Sequence, residues 1–274
     1  MRVLVTGAAG MLGRDLLAHL DGRHEVTAVD LDVDVTDAGA VRACAREVRP
    51  EAVFHLAAWT DVDGAEAREA EAAAVNELGA RNVAAAAAAA GAAMVLPSTD
   101  YVFDGRAGAP YDEDAAPAPL GAYGRTKLAG ERAAAAAHPG GVRVARTAWL
   151  YGAGGRNFVD TMRRLGAERD EVAVVDDQTG SPTWTADLAP ALEALLALPA
   201  GVYHTAGAGA VTWAGLARAV FEEAGIACAV RPQTTAELGR PAPRPACSAL
   251  RSARPGAPRL RPWREALHDY IRGT

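Results

Sequence analysis

Five short apolar runs punctuate the first half of the chain: RVLVTG (2–7), HEVTAVD (24–30), AVFHLAA (52–58), AAMVLPST (92–99) and VRVARTAW (142–149). They are nearly continuous rather than alternating, so the strands they form must be covered on both faces. Longer alanine-rich segments near 11–21, 38–48, 65–90 and 121–137 separate them and read as helices. Strands and helices in strict alternation pair in parallel through right-handed crossovers. That predicts an α/β fold built on a doubly wound parallel sheet of the Rossmann type.

After about residue 150 the pattern loosens. Helices are expected near 157–168, 185–198, 212–225 and 262–271, with strands at 171–175 and 201–207. The stretches 176–183 and 231–245 read as loops, the second because of its prolines. Residues 1–150 therefore read as a dinucleotide-binding domain. Residues 151–274 read mainly as a smaller C-terminal substrate-binding lobe, with strands free to return to the main sheet.

Composition narrows the partners. A formal net charge of −6 argues against nucleic acid or an anionic membrane. No apolar run approaches the ~20 residues that span a bilayer. The chain opens directly on a strand with no leader-like segment. Cys44, Cys228 and Cys247 have neither metal-ligand spacing nor a disulfide pattern, so a cytoplasmic location and no metal are expected. His55 and His204, each inside an apolar strand, read as core histidines.

VTGAAGMLG (5–13) places Gly7, Gly10 and Gly13 where the first strand gives way to a helix. Glycines there permit a tight turn and let backbone N–H groups approach a pyrophosphate at the electropositive helix start. The second strand ends at Asp30, whose carboxylate suits the hydroxyls of an adenosine ribose and repels a 2′-phosphate. No arginine or lysine occurs between 30 and 36, which favours NADH over NADPH.

Lys127 is the only lysine among 28 basic side chains of lysine and arginine. It follows Tyr123 in Y-x-x-x-K, which puts both on one helix face. A phenol has a pKa of about 10, and a neighbouring ammonium is expected to lower it. The ammonium also suits the ribose hydroxyls of a nicotinamide nucleotide, whereas the planar guanidinium presents its charge differently. Ser98 and Thr99 close the fourth strand in PSTDYVFDG (97–105), at the carboxyl edge beyond which such folds bind ligands. Thr99 could then hold a substrate carbonyl while Tyr123 supplies a proton, or the two hydroxyls could simply cap the turn. Arg146, on a central strand, needs a carboxylate or phosphate partner. Arg244 opens a loop whose guanidinium would suit a diphosphate.

Taken together, TGAAGMLG, STDYVFDG, YGRTK, RTAWLYG (146–152), NFVDTM (157–162), DQTGSPT (177–183) and RPACSAL (244–250) resemble the extended short-chain dehydrogenase/reductases. The resemblance is nearest to the branch of dTDP-4-dehydrorhamnose reductases and covers nearly the whole chain. It implies NADH or NADPH as cofactor, a dTDP-sugar as substrate, and leaves a homodimer open. By the same resemblance Met11, Leu12, Asp34, Val35, Ala57, Ala58 and Thr60 contact the cofactor, and Tyr123 and Lys127 its ribose. Thr60, Val62, Thr99 and Trp149 fall where relatives hold the sugar, and Tyr101 joins the pocket. Related 4,6-dehydratases look like S-T-D-E, whereas Tyr101 follows Asp100 here, which favours reduction over dehydration. Trp59 departs from the usual small polar group, and the loop at 30–34 is unusually acidic.

The implied activity is reduction of the C4 ketone of a dTDP-4-keto-6-deoxy sugar, with Thr99, Tyr123 and Lys127 as its catalytic residues. A reductase of another dTDP-deoxysugar, a sugar-nucleotide epimerase and a non-catalytic regulatory subunit of the same fold are the alternatives.

Overall fold

A computed structural model of the chain describes residues 1–273. The first half runs β1 (Arg2–Thr6), α1 (Met11–Leu20), β2 (Glu25–Val29), α2 (Ala38–Val48), β3 (Ala52–His55), α3 (Val62–Ala67), α4 (Glu69–Ala73), α5 (Ala80–Ala90), β4 (Ala93–Thr99), α6 (Ala122–Ala137) and β5 (Val142–Thr147). The second half contributes β6 (Leu150–Tyr151), α7 (Phe158–Glu168), β7 (Glu171–Val175), β8 (Thr179–Gly180), β9 (Thr183–Trp184) and α8 (Thr185–Leu195). It ends with β10 (Gly201–His204), β11 (Val211–Thr212), α9 (Trp213–Ala224), β12 (Ala229–Gln233), α10 (Thr235–Leu238) and α11 (Trp263–Gly273).

The central sheet has the order β10-β5-β4-β3-β1-β2, and all its pairs are parallel. Chain direction along the sheet reverses between β1 and β3, so the crevice for a ligand opens above those two strands. Successive strand residues face opposite layers. Leu4, Val53, Met94 and Val144 pack with Val41, Val83 and Ala134 on one side. Val3, Val5, Phe54 and Val95 pack with Leu16, Leu188 and Leu192 on the other. A separate core joins Tyr151, Val159, Leu216, Val220 and Leu267, all from the second half of the chain, while β10 of that half joins the main sheet at its edge.

The expected helix over 65–90 is not continuous. It breaks at Arg68 and passes through a wide π turn, Ala74–Gly79, before α5. The cause lies in packing: a Cβ on Gly130 of α6 would come within 2.1 Å of the Asn76 carbonyl oxygen, so α6 lies directly on the turn. Such wide turns often mark functional sites. The loop expected over 231–245 holds the end of β12 and all of α10. Proline is tolerated there because β12 pairs only with β7 and has a free edge. β5 stops at Thr147, short of 149, because Trp149 turns to φ 48°. Among the described residues, no helix is long and apolar enough to cross a membrane.

Candidate active site

The glycine turn is set by close approach. Gly7 has φ +69°, and a Cβ on it would lie 2.4 Å from the Ala57 nitrogen, so the β1 turn rests on the loop after β3. At Gly13 a Cβ would lie 2.4 Å from the Ala8 carbonyl oxygen, which is the tight helix–turn packing expected of the last glycine. Helix α1 starts at Gly10 with no side-chain cap and no acidic residue in its first turn. Its first N–H groups therefore face the crevice without a competing carboxylate. Asp30 reaches back to accept from the Ala9 N–H at 2.8 Å. Asp34 accepts from both the N–H and the hydroxyl of Thr36, which holds its carboxyl below the usual range.

These elements open into a cleft of about 1110 Å³. Gly7, Gly10, Met11, Leu12, Gly13, Asp30, Asp34, Val35, Ala57, Ala58, Thr60, Val62, Thr99, Tyr101, Tyr123, Lys127 and Trp149 all line it. Pockets for single small ligands run to ~300–1,000 Å³, so there is room for more than one. An uncapped helix start and a turn stripped of Cβ atoms fit a dinucleotide pyrophosphate.

Tyr123 and Lys127, one turn apart on α6, present their side chains to the same cleft. The Lys127 Nζ donates to the Pro97 carbonyl at 2.9 Å. Burial draws the lysine down to about 8, opposed by the charge of Glu131. The expected lowering of the phenol is not what the site does. Burial pushes Tyr123 up to about 12, opposed by the neighbouring Thr99 hydroxyl and with the Asp100 carboxylate adding to the rise. The phenol is therefore a proton donor at neutral pH. Its ring meets that of Tyr101 edge-on at 5.9 Å.

Thr99 caps the turn, one of the two roles its position allows. Its hydroxyl donates to Asp100 Oδ1 at 3.1 Å and accepts from the Tyr101 N–H at 3.1 Å as a turn cap, and it lines the cleft with Tyr123. Ser98 turns instead into a buried network. Its hydroxyl donates to Glu131 Oε1 at 2.5 Å, and Arg146 clamps the same carboxylate at 3.0 and 2.7 Å. Arg146 thus finds its carboxylate partner on α6. His55 bonds the Thr6 hydroxyl at 2.7 Å, and burial followed by the Lys127 charge lowers it to about 3. It is a neutral core histidine.

Arg244 requires a correction. It does not line the cleft, and its guanidinium is held by both oxygens of Asp63 at 3.0 and 3.1 Å. Its charge also acts on the Tyr101 phenol. An arginine forked onto a carboxylate is not available to a diphosphate, so Arg244 positions Tyr101 and the segment at 240–246. Arg156 lines the cleft instead and has no ion-pair partner among the described residues. Its loop lies over the glycine turn, since a Cβ on Gly155 would sit 3.1 Å from that of Met11.

Sequence reasoning also missed Asn76, Asp100, Thr147 and Trp213. Asn76 accepts from the Trp59 N–H at 2.9 Å and donates to Thr126 at 3.1 Å, tying the loop after β3 to α6. Trp213 stacks on Trp149 at 3.4 Å between ring centroids, while Gly180 leaves room against the same indole. Only a fold that brings α9 back to β5 reveals that pair. Thr147 Oγ1 and Trp149 Nε1 are buried without a protein partner, and both residues line the cleft. Such atoms cost stability until a ligand satisfies them.

A parallel sheet whose switch point opens between a glycine turn and a helical tyrosine–lysine pair defines an extended short-chain dehydrogenase/reductase. Within that class the chain belongs to the family described as the RmlD substrate binding domain, which matches residues 1–274. It is 51% identical to the dTDP-4-dehydrorhamnose reductase of Streptomyces griseus, over 98% of this chain and 92% of that protein. It is 50% identical to the dTDP-4-keto-6-deoxy-D-glucose reductase of Streptomyces niveus, over 80% and 77%. Among solved structures, a dTDP-4-dehydrorhamnose reductase of Bacillus anthracis in complex with NADP superposes with a TM-score of 0.96 at 39% identity, covering 100% of this chain and 99% of that one.

Proposed function

We propose that the chain is an NAD(P)H-dependent 4-ketoreductase of a dTDP-linked 4-keto-6-deoxy sugar, converting dTDP-4-dehydro-L-rhamnose to dTDP-L-rhamnose. One observation carries the reading: Thr99, Tyr123 and Lys127 share a single cleft with the glycine turn of Gly7 to Gly13. Relatives that match most of this chain and are named for reduction of such sugars support it.

When bound, the nicotinamide supplies a hydride to C4. As that C–H bond forms, the π electrons of the ketone move onto oxygen, and Tyr123 gives up its phenolic proton to complete the alcohol. Thr99 steadies the oxygen, and Lys127 holds the ribose and balances the phenolate. Proton donation of this kind contributes ~10²–10⁴-fold, with positioning and electrostatics supplying the rest. Tyr101 takes the place of a dehydratase glutamate, so the site lacks the carboxyl that dehydration would use there, and burial with the neighbouring Asp100 raises the phenol further.

The finer reading is a preference for NADH. Asp30 and Asp34 both line the wall below α1, and no cation occurs from 30 to 36, so a 2′-phosphate there meets negative charge. The reading goes with a cytoplasmic protein. The test supplies dTDP-4-keto-6-deoxyglucose, with and without a 3,5-epimerase, and follows nicotinamide absorbance with NADH and NADPH separately. Oxidation of NADH only when the epimerase is present is the expected result. No oxidation of either cofactor would end the proposal, and equal rates would end the cofactor preference.

A further inference from the structure

Helix α6 opens on Gly121, which has no side chain to cap it, yet its first N–H is capped. The Ala122 N–H donates to Glu66 Oε1 of α3 at 2.6 Å. We propose that Glu66 is a positioning residue for the reduction: its carboxylate fixes the start of α6 against α3 and so sets Tyr123 in the cleft. This rests on the reductase reading above, in which Tyr123 is the proton donor.

A helix start leaves its first N–H groups without intrahelical partners, and the residue before it usually supplies the cap. A cap of that kind travels with its own helix. One delivered from another element fixes the helix to that element. Geometry rules out the local cap here, because a Cβ on Gly121 would lie 2.6 Å from Glu66 Oε1. Gly121 has φ −112° and ψ 167°, the extended backbone an ordinary capping residue takes. Its missing side chain therefore serves the Glu66 contact and not the turn.

The consequence comes from what α3 carries. The helix follows closely on Thr60 and begins with Val62, and both line the cleft. Its Asp63 holds Arg240, Arg244 and the Ala242 N–H of the C-terminal segment. Tyr123 is the next residue after the capped Ala122 and lines the same cleft. Glu66 thus joins a wall of the cleft to the helix that carries the acid. Gly124 seats the same turn on the segment after β4, since its Cβ would lie 2.2 Å from the Tyr101 carbonyl oxygen.

A second tie to α6 is weaker. Arg125 forks onto Glu69 at 2.8 Å through two nitrogens, but these side chains are 44% and 45% exposed, and exposed ion pairs hold little. Glu66 is half-buried, and its bond sets a charge at the electropositive end of a helix. Glu66 is the stronger hold.

The test compares Glu66→Gln, Glu66→Ala and the double variant Glu66→Ala with Gly121→Ser, each in the full chain. Glutamine keeps an acceptor oxygen in place, so Glu66→Gln should hold kcat within about threefold of the parent. Glu66→Ala should lower kcat by about 10- to 10²-fold, the scale of a reacting group displaced by about 1 Å, while substrate KM and the dinucleotide dissociation constant stay within about twofold. In the double variant a serine cap has room, since the next atom to the new Cβ is the Pro243 carbonyl oxygen at 3.4 Å. It should regain the urea midpoint lost in Glu66→Ala but not kcat, because a local cap does not tie α6 to α3. Should Glu66→Ala not fold, the double variant carries the comparison. A merely structural Glu66 would lower the midpoint and leave kcat of the folded enzyme unchanged, or would regain kcat with the midpoint in the double variant. Either result overturns the proposal, as does a Glu66→Gln that falls as far as Glu66→Ala. Failure of the parent to oxidise nicotinamide with any dTDP-4-keto sugar would instead overturn the reductase reading. Fluorotyrosine-labelled protein then judges Glu66: the Tyr123 resonance, assigned with Tyr123→Phe, should move in Glu66→Ala and the double variant and stay in Glu66→Gln. An unmoved resonance in all three refutes the positioning role.

Discussion

Lys127 donates its ammonium to the carbonyl oxygen of Pro97 at 2.9 Å, which ties α6 to the strand that ends in Thr99. The chain's only lysine is therefore both a charge in the cleft and a strut between two elements of the site. A guanidinium is too broad and planar to replace it in that geometry.

The pH dependence of kcat/KM should follow this lysine. Burial brings Lys127 down to about 8 from an ordinary 10.5, so it is charged below that pH and neutral above it. The expected kcat/KM is level up to about pH 8 and declines beyond it, in a profile recorded at saturating nicotinamide. The same shift affects stability: between about 8 and 10.5 the unfolded chain binds more protons, so this group's penalty fades as pH rises through that window. Urea midpoints across it would show the gain, which Lys127→Met should erase.

Tyr123→Phe removes the proton donor and leaves the ring packed against Tyr101. Turnover should fall by at least ~10²–10⁴-fold. Dinucleotide affinity, measured by fluorescence quenching, should change little. Full activity in this variant would be incompatible with the mechanism.

The buried pair of Glu131 and Arg146 should be costly to break from one side only. Both are about 5% exposed or less, and the guanidinium is bound through two nitrogens. Glu131→Gln alone strands a buried guanidinium and should cost about 3–5 kcal/mol in chemical denaturation. Glu131→Met with Arg146→Met should recover a large part of that loss.

Arg244→Ala tests whether the residue is a clamp for phosphate or a brace for the fold. Because its fork is on Asp63, the variant should lower thermal stability and loosen Tyr101. Affinity for dTDP alone, measured by calorimetry, should remain within about twofold, well under the effect of losing a charged hydrogen bond.

Arg156→Ala should do the opposite. The side chain is exposed and lines the cleft, on a loop whose Gly155 packs against Met11. Stability should be unchanged, while the dinucleotide dissociation constant rises about tenfold and becomes less sensitive to salt.

The parallel sheet, the glycine turn and the paired Tyr123 and Lys127 were readable in the residues because each depends on local rules: strand apolarity, glycine geometry and the pitch of a helix. Spacing of four along α6 was enough to put a phenol and an ammonium on one face. Long-range packing governed the rest. Whether Arg244 met a phosphate or Asp63, whether Arg146 found Glu131, and whether Trp149 met Trp213 depended on segments 181, 15 and 64 residues apart in the chain. The direction of the Tyr123 shift was equally non-local, because it is a contest between charge and desolvation, and burial is a property of the folded whole.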